Sequence, residues 1–165
     1  GRKDLAEDSL DLVVCDSPAG IEKGAFLAMY FADQAIGVVN PEVSSVRDSD
    51  RILGLLDSKT RRAENGESLK ANLLLTRYNP ARVEGGEMLS IKDVEEVLGL
   101  KTLGVIPESG DVLNASNKGE PVILDLESPA RQAYDDTVAR LLGEDRPLRF
   151  TTLEKKGFFS KLFGG

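Results

Sequence analysis

The chain has 165 residues, a formal net charge of −7, 41% hydrophobic and 30% charged residues, and no histidine. Those values fit one globular domain with its own core and exclude wholesale disorder, a broad basic field for nucleic acid, and imidazole acid–base or most zinc chemistry. No nucleic-acid partner is expected. A single cysteine allows no internal disulfide, and no stretch nears the ~18 apolar residues of a spanning helix. The expectation is an intracellular chain, with the membrane surface left open by the tail discussed below.

In chain order, GRKDLAEDS reads as the end of a helix that enters the middle of a fold, followed at 10–16 by the apolar run LDLVVCD. Cys15 inside that run reads as a buried strand thiol rather than a nucleophile. Similar runs follow at 35–40 (AIGVVN), 72–76 (NLLLT), 102–107 (TLGVIP) and 121–126 (PVILDL), the last either a strand or only a short extended segment. They lack strict alternation, as strands buried on both faces do.

Helical patterns lie between the runs. VSSVRDSDRILGLLDSK sets Val43, Val46, Ile52, Leu53 and Leu56 near one face. SIKDVEEVLGL opens with Ser90 as N-cap and Asp93 at the capping-box position, with Ile91, Val94, Val97 and Leu98 apolar. SPARQAYDDTVARLLGE begins with Pro129 after Ser128 and offers Ala133, Val138, Leu141 and Leu142 to a core. The charged stretch 59–70, turning at Asn65-Gly66, reads as an exposed loop. Strand–helix alternation of this kind predicts an α/β fold, a mostly parallel sheet flanked by helices.

Candidate chemistry gathers where strands end. The run at 10–16 delivers Asp16 at its C-terminal end, and Ser17, Pro18, Ala19 and Gly20 then turn into a helix. Open α/β sheets bind ligands at that edge. In a nucleoside-triphosphatase such an aspartate holds Mg²⁺ or its water, and the glycine N–H follows the γ-phosphate. The alternative is a strand-ending Asp that caps a helix after a Pro-Gly turn. Other strands end in Thr76-Arg77 and Pro107-Glu108, on the edge where a base or ribose sits. Glu42 and the polar face carrying Ser44 and Asp48 follow the strand at 35–40, either as a contact surface or as a solvated helix face.

At this point the sequence resembles a family. DSPAGIEKGA, NPEVSSVRDSDRILG, RRAENGE, LLLTRYNP, GVIPE, SNKGEPVI and the tail KKGFFSKLFGG are similar to the MinD family, membrane-associated ATPases of bacterial division-site selection within the deviant-Walker-A P-loop proteins. The resemblance implies that Asp16 is the catalytic, Mg²⁺-associated switch II aspartate, held through water, and that Ser17, Pro18 and Gly20 belong to the nucleotide site. Thr76, Arg77, Pro107 and Glu108 are implied to flank the adenine; relatives carry Asn-Arg where this chain has Thr76-Arg77. Glu42, Ser44 and Asp48 are implied to face the second subunit of an ATP-dependent homodimer, beside the surface for MinC- and MinE-like proteins. The implied role is placement of the division septum from the cytoplasmic face of the inner membrane.

One family motif is absent. Neither GxxxxGK[ST] nor the deviant KGGxxKT loop occurs in the 165 residues. That loop supplies the N–H groups and lysines that cradle phosphates. The chain therefore reads as the C-terminal part of an incomplete P-loop NTPase-type fold, inactive by itself as an ATPase. The strand at 10–16 should then have an unsatisfied edge and partly uncovered faces. The other reading is a non-catalytic membrane-binding or interaction module, and a third, weaker one is a DNA-partition ATPase relative.

The expected division is 1–150 for the ATPase-type body and 151–165 for a linker and amphipathic helix. The tail from Glu154 to Gly165 carries three lysines against one glutamate, a charge of +2, which leaves the rest at −9. On a helix, Phe158, Phe159, Leu162 and Phe163 span roughly a 140° arc at 100° per residue. Lys156 and Lys161 border the arc, and Lys155 lies within it, where its stem can snorkel. Such a pattern suits the surface of anionic membrane lipids. A helix docked on its own domain, or a frayed end, stays open as the alternative.

Overall fold

The structure of the chain, a computed structural model, describes residues 12–17 and 23–153. Three strands, β1 (Gln34–Val39), β2 (Lys70–Tyr78) and β3 (Lys101–Pro107), form one sheet in the order β1-β2-β3. Both pairs are parallel, with Val39 beside Leu75 and Leu75 beside Val105. Helix α1 (Lys23–Tyr30) precedes β1, and α2 (Val43–Lys59) with the one-turn α3 (Arg61–Glu64) carries the chain to β2. The link to β3 holds α4 (Pro80–Glu84) and α5 (Ile91–Leu98). After β3 come α6 (Gly110–Lys118), the 3₁₀ turn η1 (Val122–Leu124) and α7 (Pro129–Leu141).

Alternation along β2 assigns the two faces of the sheet. Leu73 and Leu75 pack with Val39, Val105, Val46 of α2, and Val94 and Leu98 of α5. Leu74 points the other way, to Ile106, Val112 and Ala130 and Ala133 of α7. Helix α5 begins where Ser90 and Asp93 cap each other, Ser90 Oγ accepting from Asp93 N at 3.1 Å and Asp93 Oδ2 accepting from Ser90 N at 3.0 Å. It ends at Gly99, whose φ of 64° closes the helix in the left-handed region. The Ser90–Asp93 cap follows the pattern expected from the sequence.

Helix α7 lies hard against β3. A Cβ built on Gly104 would stand 2.0 Å from Thr137 Oγ1 and 2.9 Å from Leu74 Cδ1. The helix therefore meets the sheet with small side chains, Ala130, Ala133 and Thr137, all buried. Val138 and Leu142, expected in the core from the apolar pattern, are exposed instead. Close approach selects small residues at the contact, and the larger ones turn outward. On α2 and α5 the same correction applies to Val43 and Val97, exposed while Val46, Leu56, Val94 and Leu98 are buried.

Four expectations change. The run at 10–16 is not a strand over its described part: residues 12–17 are irregular and exposed, Val14 at 82%. A strand needs a laddered neighbour, and among the described residues none lies against it. Cys15 is accordingly exposed, not buried. The run at 121–126 closes into η1 through Leu124 N donating to Pro121 O at 3.1 Å. The loop at 59–70 contains α3, started by Thr60, whose Oγ1 accepts from Ala63 N at 3.2 Å; the turn at Asn65-Gly66 is present, with Gly66 at φ 75°.

Candidate functional site

Because all three strands run parallel, their C-terminal ends share one edge. Thr76, Arg77, Pro107 and Glu108 meet there, as the strand-end argument expects. Thr76 Oγ1 donates to Asn40 Oδ1 at 2.9 Å, tying the end of β2 to the end of β1. Glu108 N donates to Tyr78 O at 2.9 Å, which extends the β2–β3 pairing by one step.

The Glu108 carboxylate is shared. Its Oε2 accepts from Asn79 Nδ2 at 3.1 Å, and its Oε1 lies 3.8 Å from Arg77 Nη2. Arg77 adopts a left-handed φ of 56°. That costs a side-chain-bearing residue on the order of 1–2 kcal/mol. The register of β2 against β3 also shifts between Leu75 and Tyr78. The break lifts Arg77 out of the ladder and leaves its guanidinium largely exposed over the edge. Below it Tyr78 is buried, and burial raises its phenol pKa above the ordinary value.

Glu42 stands at the N-cap of α2, and Ser44 and Asp48 share a face of its first turns; all three are exposed. Arg82 of α4 lies 3.8 Å from Glu42 and 3.6 Å from Glu87. Leu89 N donates to Pro41 O at 3.0 Å, so the loop after α4 is bound to the start of α2. Arg82 and Leu89 thus tie the segment after β2 to the start of α2.

Sequence reasoning missed Asn40, Asn79 and Arg82. A signal for the first two was present: both β1 and β2 exit through Asn-Pro, at 40–41 and 79–80. Asn79 Oδ1 accepts from Ala81 N at 3.0 Å and caps α4, while its amide reaches Glu108.

Asp16 and Ser17 lie in the irregular segment at 12–17, both exposed. Pro18 and Gly20 fall outside the described residues. So do Lys155, Lys156, Phe158, Phe159, Lys161, Leu162 and Phe163 of the tail. Among the described residues no group of three or more carboxylate, thiol or imidazole side chains could hold a metal ion. The donors present at the strand ends (hydroxyl, amide, guanidinium, carboxylate) fit the base end of a nucleotide. They do not fit its phosphates or Mg²⁺, for which neither a cradle of backbone N–H groups nor a converging oxygen set is present among them.

A parallel sheet with helices on both faces and a polar C-terminal edge defines this as an α/β protein. Comparison with known proteins narrows the class. The chain is 65% identical over 163 residues to septum site-determining protein MinD of Escherichia coli K12, covering 98% of this chain and 60% of that protein. Among solved structures it is similar to the MinC:MinD cell division protein complex of Aquifex aeolicus, with a TM-score of 0.71 and 44% identity over 81% of this chain and 52% of that one. MinD of Pyrococcus horikoshii complexed with Mg-ADP gives a TM-score of 0.61 and 26% identity over 78% of this chain and 50% of that one. No family model matches the sequence. Over nearly its whole length the chain is thus similar to MinD proteins, and it spans about 60% of the length of the curated relatives it matches.

Proposed function

We propose that this chain forms the base-binding and partner-facing part of a MinD-type ATPase that places the division septum. In this reading ATP and Mg²⁺ drive homodimerisation, MinC- and MinE-like proteins engage the dimer, and the tail binds anionic lipid on the cytoplasmic face of the inner membrane. The observation that carries the reading is the gathering of Thr76, Arg77, Pro107 and Glu108 on one sheet edge, in a chain 65% identical to a MinD.

Each residue has a share in that function. Thr76 and Asn40 fix the edge, Arg77 and Glu108 border the base, and Glu42, Ser44 and Asp48 offer an exposed helix face to a partner. Asp16 would complete a Mg²⁺ site only together with a phosphate-binding loop, which the 165 residues do not contain. Among the described residues β1 has an unpaired edge and an uncovered face, where Val38 is 63% exposed, and in this reading such a strand–loop–helix unit belongs there.

The tail is the output of the same switch. Each of its four large apolar side chains contributes about 1.5–3 kcal/mol if fully buried. Partial insertion and ordering offset much of that, so a single tail binds weakly and reversibly. Two tails on one dimer add avidity of about 10²–10⁴. Nucleotide-controlled pairing is therefore enough to switch attachment.

The test joins this chain to the N-terminal 40% or so of the E. coli relative and measures ATP turnover and co-sedimentation with anionic vesicles. The joined protein should hydrolyse ATP, lose turnover with Asp16→Ala, and bind vesicles more tightly with ATP. Turnover by the 165-residue chain alone, unaffected by Asp16→Ala, would overturn the reading. Vesicle binding by the joined protein that ignores ATP would favour a plain membrane-binding module.

A further inference from the structure

After α7 the chain turns at Gly143, φ 95°, and residues 144–150 return to the sheet, whose outer strand on this side among the described residues is β3. Leu148 packs into the core on the α2–α5 face, while Phe150 packs into the core on the α7 face. In an extended strand, residues two apart share a face. The left-handed φ of 60° at Phe150 breaks that alternation and lets the segment grip both sides of the β3 edge.

Charge holds it in place. The carboxylate of Asp136 on α7 is only 2% exposed, an uncommon position for an acid. Arg149 meets it with two nitrogens, Nε at 2.7 Å from Oδ2 and Nη2 at 3.2 Å from Oδ1. The Oδ2 contact is ionic, without the alignment of a hydrogen bond. Arg146 Nη1 adds a weaker approach at 3.6 Å. From α7, Arg140 donates to the carbonyls of Arg146 and Pro147 at 3.1 and 3.0 Å and to Leu103 O on β3. The only other backbone bond into the segment among the described residues is Glu144 N to Ala139 O at its start. With no ladder to hold it, side chains fasten it.

We propose that residues 144–150 are a releasable strap on the β3 edge and that Asp136 is its latch, the positioning residue that decides where the C-terminal segment leaves the body. Latched, the segment is packed on the body as far as Phe150. Unlatched, it is free from Gly143 on, and its seven residues add up to about 23 Å of reach. Asp136 is the enclosed member of the pair, so loss of Arg149 leaves a buried carboxylate without its nearest cation, which is costly. The consequence for membrane attachment rests on the tail reading above; the latch does not.

The test uses the full 165-residue chain and follows tryptic fragments ending at Arg149 by mass spectrometry. Asp136→Asn should raise the rate of that cleavage at least tenfold while far-ultraviolet circular dichroism and cleavage within β1–β3 stay unchanged. Asp136→Glu, which keeps the charge, should recover much of the protection. Arg149→Gln, probed with chymotrypsin after Phe150, gives the same readout if Asp136→Asn fails to fold. Unchanged cleavage in Asp136→Asn and Arg149→Gln overturns the latch, because Leu148, Phe150 and the Arg140 bonds then hold the segment without it. Vesicle co-sedimentation of the joined protein with ATP, run in parallel, separates the two ideas: faster strap cleavage in the variants with no ATP-dependent vesicle binding keeps the latch and removes the tail reading.

Discussion

The β2–β3 half of the sheet and the β1 end are written in the same residues yet are built differently. Leu73 and Leu75 of β2 are fully enclosed, and Leu74 on the reverse face packs under the α7 side. On β1, Val39 is 1% exposed while its neighbour Val38 is 63% exposed. Helix α2 covers one face of β1, and among the described residues nothing covers the other. Apolar composition sets what a strand can bury; neighbours set what it does bury.

Mutations can break that comparison, the deepest first. Leu75→Ala removes a side chain enclosed on the α2–α5 face and should cost about 2–5 kcal/mol in urea unfolding. A cost below about 1 kcal/mol would mean that this face is loosely packed after all. Gly104→Ala should cost about 1–3 kcal/mol, since the new methyl displaces Thr137 and lifts α7 from β3. A paired Thr137→Ser substitution should recover part of it, because its methyl is one of the colliding atoms.

Smaller effects sharpen the contrast. Ser90→Ala should cost about 1 kcal/mol through loss of the α5 cap. Hydrogen bonds from Ser90 hold the Asp93 carboxyl below its ordinary pKa. A depressed acid stabilises the fold above its unfolded value of about 3.9 and loses that contribution as pH falls through the lower folded value. The acid side of the stability profile should therefore be shallower in Asp93→Asn than in the wild-type chain, as urea midpoints across pH would show. Val38→Ser should change stability by no more than about 0.5 kcal/mol, because the side chain is already in water. A loss near that of Leu75→Ala would show that Val38 is covered in solution.

Much of the site could be read before any coordinates. Strand ends can be found from apolar runs, and a parallel sheet brings such ends together, so Thr76, Arg77, Pro107 and Glu108 fell on one edge. The run at 10–16 misled because periodicity reports a side chain's preference, not whether a ladder partner is at hand. Helix α6 was not foreseen: it has no fully buried residue, and its start is set by Ser109 Oγ accepting from Asp111 N at 3.1 Å. The strap escaped for another reason. Glu144, Arg146 and Arg149 look like a solvated linker, and the pairing of Arg149 with Asp136, thirteen positions earlier, leaves no local pattern.

The two Asn-Pro exits have a consequence for any ligand of the strand-end edge. Proline fixes φ and limits the residue before it, so both exits lose conformational freedom in the unbound protein. Asn40 is further held by Thr76, and Asn79 by Ala81 and Glu108. A planar ring arriving there meets a rim already in shape, and the ordering entropy usually charged to binding has been spent during folding. Recognition at this edge should then be governed by how fast the ring departs, not by how long the rim takes to assemble around it.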